Sequence, residues 1–346
     1  MTKHASYFSG WDIGGAHVKV ARCDHTGKLI EVIQLACPLW RGIEHLHTAI
    51  QSAQQQLGNQ DDISAITMTG ELVDIFSDRQ TGVSEILACI NNYISADKIH
   101  VYSSNQWLST TDAKVQWQDV ASMNWLASAN FVANNIADGL FIDLGSTTCD
   151  IIAINNGQAC PQGVDDHQRQ LSRELLYTGA IRTPLIALTK QAPFNGHLFS
   201  LAAEVFATTG DCWRLLNKIE ADTIIDDSAD GQPWQSKDCA RRIARLIGCD
   251  ADDHAPQQWQ QLAQWFTEQQ LHQVTNACMQ VITNHNLSLD APIIGAGIGR
   301  FIGQQCAQRL NRPYIDFGSL VNPTLSEAAD HAPAAAVALL AQQQFT

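Results

Sequence analysis

The chain has 346 residues, of which 45% are hydrophobic and 16% charged, and its formal net charge is −14. That charge excludes a broad surface for nucleic acid or anionic membrane, and no apolar run is long enough to span a bilayer. The length suits two domains rather than one core.

Ten cysteines are scattered without a Cys-x-x-Cys pair, in a chain large enough to fold without disulfide staples. Residues 1–9 are short and polar and do not read as a signal peptide. A reduced, cytoplasmic protein is expected.

In chain order, residues 7–36 read as three strands, with Asp24-His25-Thr26-Gly27 as the turn between the second and third. Ile43, Leu46, Ile50 and Leu57 keep helical spacing, and the Gln-rich end of that helix is a solvated face. A buried strand is expected over 63–68. Thr69-Gly70-Glu71-Leu72-Val73-Asp74 sits at its C-terminal end, the edge where doubly wound sheets bind ligands. Glu71 and Asp74 read equally as acids of a site or as a capped helix start.

A helix over 85–94 and a strand over 99–102 follow, and 104–117 takes no assignment. A helix rich in small residues is expected over 120–134, packed on the hairpin after it. No Gly, Pro or Ser tether separates the two halves, so their boundary is a crossing. Asp165 and His167, in the run 162–167, read as part of a solvated acidic loop in preference to a ligand cluster. Arg173 and Arg182 flank Gly179, with the hydroxyls of Thr178 and Thr183 near. Two guanidinium groups suit a diphosphate, although one of them can simply pair with Glu174.

Short helices are expected over 201–208 and 212–219, around Thr208-Thr209-Gly210-Asp211. Residues 222–235 read as a loose acidic excursion, and 237–246 as a helix with Arg241, Arg242 and Arg245 on its wet side. One long helix spans 256–285, its stripe of Trp259, Leu262, Trp265, Phe266 and Leu271 being core or interface. A strand over 311–316 and an alanine-rich helix over 332–344 close the chain. The histidines are dispersed; His45 and His47 face different sides of a helix and signal no metal cluster.

Two stretches carry the chemistry. Residues 140–151 run through Asp143-Leu144-Gly145-Ser146-Thr147-Thr148, an apolar strand ending in Asp, a small polar corner and a second strand. Gly145 lets the backbone approach a ligand, and the amides and hydroxyls of Ser146, Thr147 and Thr148 can face phosphate oxygens. An Asp there faces phosphate only through a cation, which implies Mg²⁺. Residues 7–21 repeat the device as Asp12-Ile13-Gly14-Gly15, with His17 and Lys19 on the returning strand. A third element, Gly295-Ala296-Gly297-Ile298-Gly299, is a buried strand running into a glycine turn and a helix. It is no dinucleotide fingerprint, since Arg300 stands in the sixth position.

These three segments resemble the two phosphate motifs and the adenosine motif of the acetate kinase, sugar kinase, heat-shock-70 and actin superfamily. Within it the chain resembles the hydantoinase/oxoprolinase-like branch. More narrowly it is similar to proteins linked to tetrahydromethanopterin-dependent one-carbon transfer, whose archaeal members make a methanofuran precursor. The narrower likeness lies in residues 68–74, 175–184 and 203–211 and covers the chain from about 8 to 341.

The resemblance implies an α/β fold of two ribonuclease-H-like (actin-like ATPase) domains with a ligand cleft between them. The first domain would span 1–136, with 332–346 returning to it, and the second 137–331. Asp12 and Asp143 would face each other and bind Mg²⁺, and with Glu71 and Asp74 would form the catalytic set. Gly14, Gly15, His17, Lys19, Gly145, Ser146, Thr147, Thr148, Arg173 and Arg182 would bind phosphate. Gly295, Ala296, Gly297 and Gly299 would line a nucleotide or substrate pocket.

The narrow family implies attack by a γ-glutamyltyramine (or tyrosine) phenol on an aminomethylfuran-methyl diphosphate. The partners would be that small-molecule diphosphate ester and a phenolic amine. The base, from among Glu71, Asp74, Asp165 and His167, would take a phenol proton of pKa about 10. The hairpins alone equally support an ATP-dependent kinase or oxoprolinase-type enzyme, with ATP as cofactor, and less strongly a non-catalytic nucleotide switch. The oligomeric state is left open.

Overall fold

The computed structural model describes residues 7–58, 61–321 and 325–346. Most of the polar start read as lacking a signal peptide lies outside the described residues.

In chain order, β1 (Tyr7–Ile13), β2 (His17–Asp24) and β3 (Leu29–Ala36) form an antiparallel meander. Asp24 Oδ1 closes its second turn by accepting from the Thr26 amide at 2.8 Å, and Gly27 takes φ +81 there. Then come α1 (Glu44–Leu57), β4 (Ile63–Met68), α2 (Arg79–Asn91), β5 (Ile99–Tyr102), β6 (Trp107–Leu108), α3 (Thr110–Val115) and α4 (Asn124–Ala133). The central hairpin is β7 (Gly139–Leu144) and β8 (Cys149–Asn155), followed by β9 (Gln158–Ala159).

Next are α5 (Asp166–Ser172), β10 (Leu175–Leu176), α6 (Leu185–Leu188), β11 (Gln191–Phe194), β12 (His197–Ser200), α7 (Thr209–Leu215) and α8 (Ser236–Arg245). The chain ends with α9 (Pro256–Asn284), β13 (Ile293–Ala296), α10 (Arg300–Arg309), β14 (Tyr314–Asp316), α11 (Gly318–Val321) and α12 (Ala332–Phe345).

One sheet has the order β3-β2-β1-β4-β5-β6, with β1, β4 and β5 mutually parallel. A core of Trp11, Ile13, Ile66, Leu46, Ile50 and Ile86 joins this sheet to α1 and α2. On β1, Gly10 lets α12 lie against the strand backbone: a Cβ there would sit 2.5 Å from the Ala338 amide nitrogen. The alanine run of α12 serves the same close approach. A second sheet has the order β10-β8-β7-β13-β14, with β9 beside β8.

The chain divides into two compact units, Met1–Phe141 with Ile154–Cys160 and Ile315–Thr346, and Ile142–Ala153 with Pro161–Tyr314. Beside the expected 1–136 (with 332–346) and 137–331, these bounds give 137–141, 154–160 and 315–331 to the first unit. The physical reason is Phe317, fully buried against Phe131 and Phe141.

Other expectations need correction. Helix α2 begins at Arg79 rather than 85, because Asp78 caps it by accepting from the Thr81 amide at 2.8 Å. The unassigned 104–117 holds β6 and α3, the latter capped by Ser109. Residues 120–123 precede α4, which packs chiefly on α12. No helix forms over 201–208, where the chain instead bridges Pro184 to Thr208. The acidic run at 165–167 opens α5, with Asp165 as its cap.

Arg242, expected on a wet face, is fully buried and paired with the equally buried Asp211 at 2.7 Å. The supposed loose excursion is anchored by that arginine too, through Asp230 at 2.9 Å, and by the buried Trp234.

Candidate functional site

In the second unit, β7 carries Asp143, 7% exposed, one residue before its end at Leu144, and the corner Gly145–Thr148 is half-buried. The Gly145 amide donates to Thr148 O at 2.9 Å and closes the turn. Every tip carbonyl up to Ser146 is then taken by a neighbouring segment. Leu144 O accepts from Gly299 N at 2.8 Å, Gly145 O from Ala180 N at 2.9 Å, and Ser146 O from Ile181 N and Arg182 N at 3.2 and 2.9 Å. Among the described residues the amides of Ser146 and Thr147 donate to no other group. A corner whose carbonyls are turned inward and whose amides and hydroxyls are left over has the chemistry to cradle an anion.

Glycines make the clasp possible. A Cβ on Gly179 would run into the Ser146 carbonyl and the Thr147 nitrogen, both backbone atoms. One on Gly297, which holds φ +81, would lie 2.6 Å from Asp143 Oδ1. Gly299 likewise presses on Leu144. Gly295 and Ala296 are buried in β13, with the Tyr314 ring over Gly295. All four residues expected to line a pocket are therefore buried, two of them as the floor beneath the hairpin.

Behind the clasp stands a second layer. Thr209 Oγ1 and Gln270 Nε2 both donate to Gly179 O, at 2.8 and 2.7 Å, and Thr183 Oγ1 accepts from Gly179 N at 2.8 Å. Gln270 also donates to Thr178 Oγ1 at 3.0 Å and accepts from the Trp213 indole at 2.9 Å. Residues 209 and 210 bond the carbonyls of Thr183 and Ile181, and Asp211 locks the turn in a capping box with Thr208. Of the threonines expected near a diphosphate, Thr183 thus bonds the Gly179 backbone and Thr178 the Gln270 side chain.

Substituting Gly179→Ala should displace the tip, costing about 1–3 kcal/mol by overpacking and lowering turnover more than stability alone explains. Denaturant melts beside rate measurements test this; wild-type rates in a destabilised protein would contradict it.

Arg182 is exposed, 3.9 Å from Asp226. Arg173 does not pair with Glu174, whose carboxylate accepts from the Gln162 and Gly163 amides and the Ser172 hydroxyl.

In the first unit the same turn recurs. Asp12 is 4% exposed, lies across from Lys19 in register and accepts from Asn124 Nδ2 at 3.4 Å. Gly14 N donates to His17 O at 2.9 Å, and the buried His17 begins β2. Ile13, Gly15 and Ala16 carbonyls accept from Thr69, Leu39 and Cys37 amides at 2.9, 3.0 and 2.7 Å. Residues 13–16 of this corner carry no hydroxyl, unlike Ser146, Thr147 and Thr148.

Thr69-Gly70 clasps that tip, while Glu71 is buried and accepts from Ser122 Oγ at 2.7 Å. Asp74 is exposed and caps nothing, that task falling to Asp78. His167 is exposed on α5.

Among the described residues no group of three or more His, Cys, Asp or Glu could hold a metal. The second-unit corner brings one carboxylate, Asp143. A single carboxylate fits Mg²⁺, which keeps several waters and takes one or two carboxylates plus phosphate oxygens.

A model of the hydantoinase/oxoprolinase family matches residues 62–344. The chain belongs to the hydantoinase/oxoprolinase family. Two relatives bear the name (4-{4-[2-(γ-L-glutamylamino)ethyl]phenoxymethyl}furan-2-yl)methanamine synthase. The one from Methanocaldococcus jannaschii is 31% identical over 245 residues, 70% of this chain and 72% of its own length. The one from Methanococcus vannielii is 37% identical over 123 residues, 35% of this chain and 55% of its own length, so about half of that relative is spanned.

Among solved structures, a nucleotide-free acetone carboxylase superposes with a TM-score of 0.55 at 10% identity, over 87% of this chain and 66% of that one. This family member shares its α/β fold.

Proposed function

We propose that this family member is a transferase of methanofuran-type cofactor biosynthesis. It would join an aminomethylfuran-methyl diphosphate to the phenol oxygen of a γ-glutamyltyramine derivative and release diphosphate. The observation that carries the reading is the corner at 145–148, an anion cradle beside a buried aspartate, in a chain whose relatives are named for a phenoxymethyl-furan product.

In the reaction the methylene C–O bond breaks and its electron pair leaves with diphosphate. The phenol oxygen bonds the methylene, and its proton passes to a base. The Ser146 and Thr147 amides, with the hydroxyls of Ser146, Thr147 and Thr148, would take the charge that grows on the leaving group. Asp143 is the carboxylate beside this corner that would hold Mg²⁺, which neutralises diphosphate charge. Electron release from the furan ring spreads the positive charge on the methylene.

A thermal-shift comparison tests the cradle. Diphosphate with Mg²⁺ is expected to raise Tm in proportion to its occupancy, and ATP or ADP with Mg²⁺ to raise it less. Stabilisation by ATP and ADP but not by diphosphate would favour an ATP-dependent enzyme instead.

A further inference from the structure

After α5 the chain turns at Arg173 in the left-handed region, with φ +64. The other described non-glycine residues with positive φ are Asn156, Asn195, Asn217, Asn286 and Asn311, plus Ser122. Asparagine tolerates that region through local side-chain hydrogen bonds, whereas arginine gains nothing from it. The backbone there holds a residue chosen for its side chain.

That side chain is unspent. Among the described residues no carboxylate pairs with Arg173, and its Nε is buried without a hydrogen-bond partner. A cavity of about 410 Å³ opens at the same place. Arg173, Gln170 and Gln273 make it polar on one part of its lining, and Leu176 and the 57% exposed Tyr177 make it apolar and aromatic on another. It reaches Thr178, next to the Gly179 that presses on the Ser146 corner.

One guanidinium fork beside an aromatic wall matches a single carboxylate on an amphipathic molecule. It matches a diphosphate poorly, since only one side-chain cation faces this cavity. We propose that the cavity seats the acceptor's glutamyl head, with Arg173 bonded to its α-carboxylate and Tyr177 and Leu176 along its phenethyl arm. This rests on the acceptor proposed above and reassigns Arg173 from the leaving group to the acceptor.

The test is calorimetric binding of γ-glutamyltyramine and of tyramine, without donor, to the wild type, Arg173→Asn and Arg173→Lys. Asparagine suits the left-handed turn, so Arg173→Asn removes the guanidinium without straining the backbone. The wild type is expected to bind the glutamylated phenol about 10–100-fold tighter than tyramine, and Arg173→Asn to lose that preference. Arg173→Lys should recover part of it, while tyramine affinity and the diphosphate thermal shift stay unchanged in all three proteins.

No preference in the wild type, or one that survives in Arg173→Asn, would overturn the assignment. So would loss of the diphosphate shift in Arg173→Asn. Because no turnover is needed, an Arg173-dependent preference in a protein that releases no diphosphate would uphold the subsite and sink the transferase reading alone.

Discussion

Asp143→Asn is expected to leave the melting temperature near that of the wild type and to reduce turnover by about 10²–10³ or more. The substitution keeps shape, so the contact with Gly297 survives, and Asp143 contributes little apolar packing at the end of β7. What disappears is the formal negative charge proposed to hold Mg²⁺ at the cradle. Circular dichroism and melting establish the fold, and diphosphate release measures the loss. A variant that retains wild-type turnover with Mg²⁺ would remove Asp143 from the chemistry.

Arg242→Ala should be the most destabilising single change away from that carboxylate. Asp211 and Arg242 are both fully buried and 2.7 Å apart, so truncation strands a charge in the interior, at a cost of about 3–5 kcal/mol. The damage also travels to the site. Asp211 accepts from the Thr208 amide at 2.9 Å and fixes the turn whose next residues hold 179–183, and those hold Ser146. Urea unfolding gives the cost; a loss below about 1 kcal/mol would show that water reaches Asp211. Replacing both partners, as in Asp211→Asn/Arg242→Met, should regain much of the stability.

The same arginine sets an acid limit. Burial alone would raise the Asp230 carboxyl, but bonding to Arg242 and Arg241 and to the Gln232 amide brings it down to about 2 from 3.8. A depressed carboxyl stabilises the fold above its unfolded pKa and loses that contribution as pH falls through its folded one. Wild type should thus lose stability between about pH 4 and pH 2 relative to Asp230→Asn, in acid-unfolding curves.

The two Asp-apolar-Gly corners were legible because each is a contiguous pattern: an apolar strand, an acid, a glycine and a returning strand. So were α1, β4, β5 and the long α9, whose periodicity runs without interruption. What grips the corners was not legible. Gly179 and Gly297 look like ordinary turn residues until their contacts with Ser146 and Asp143 are seen, and no local pattern announces a contact between segments so distant in sequence. Arg242 sits between Arg241 and Arg245, and a run of arginines reads as a wet face. Only its partner Asp211 makes burial tolerable, and Asp211 looked like a turn residue. Arg173 was singled out for its charge, whereas its positive φ and idle guanidinium are matters of three-dimensional placement.

The transferase reading turns on which bond the cradle helps to break. Purified protein given a furfuryl-type diphosphate, γ-glutamyltyramine and Mg²⁺, with no nucleotide present, is expected to release diphosphate and form the aryl ether in equal amounts. Substrate-dependent formation of ADP from ATP, with no diphosphate released from the furan ester, would contradict it.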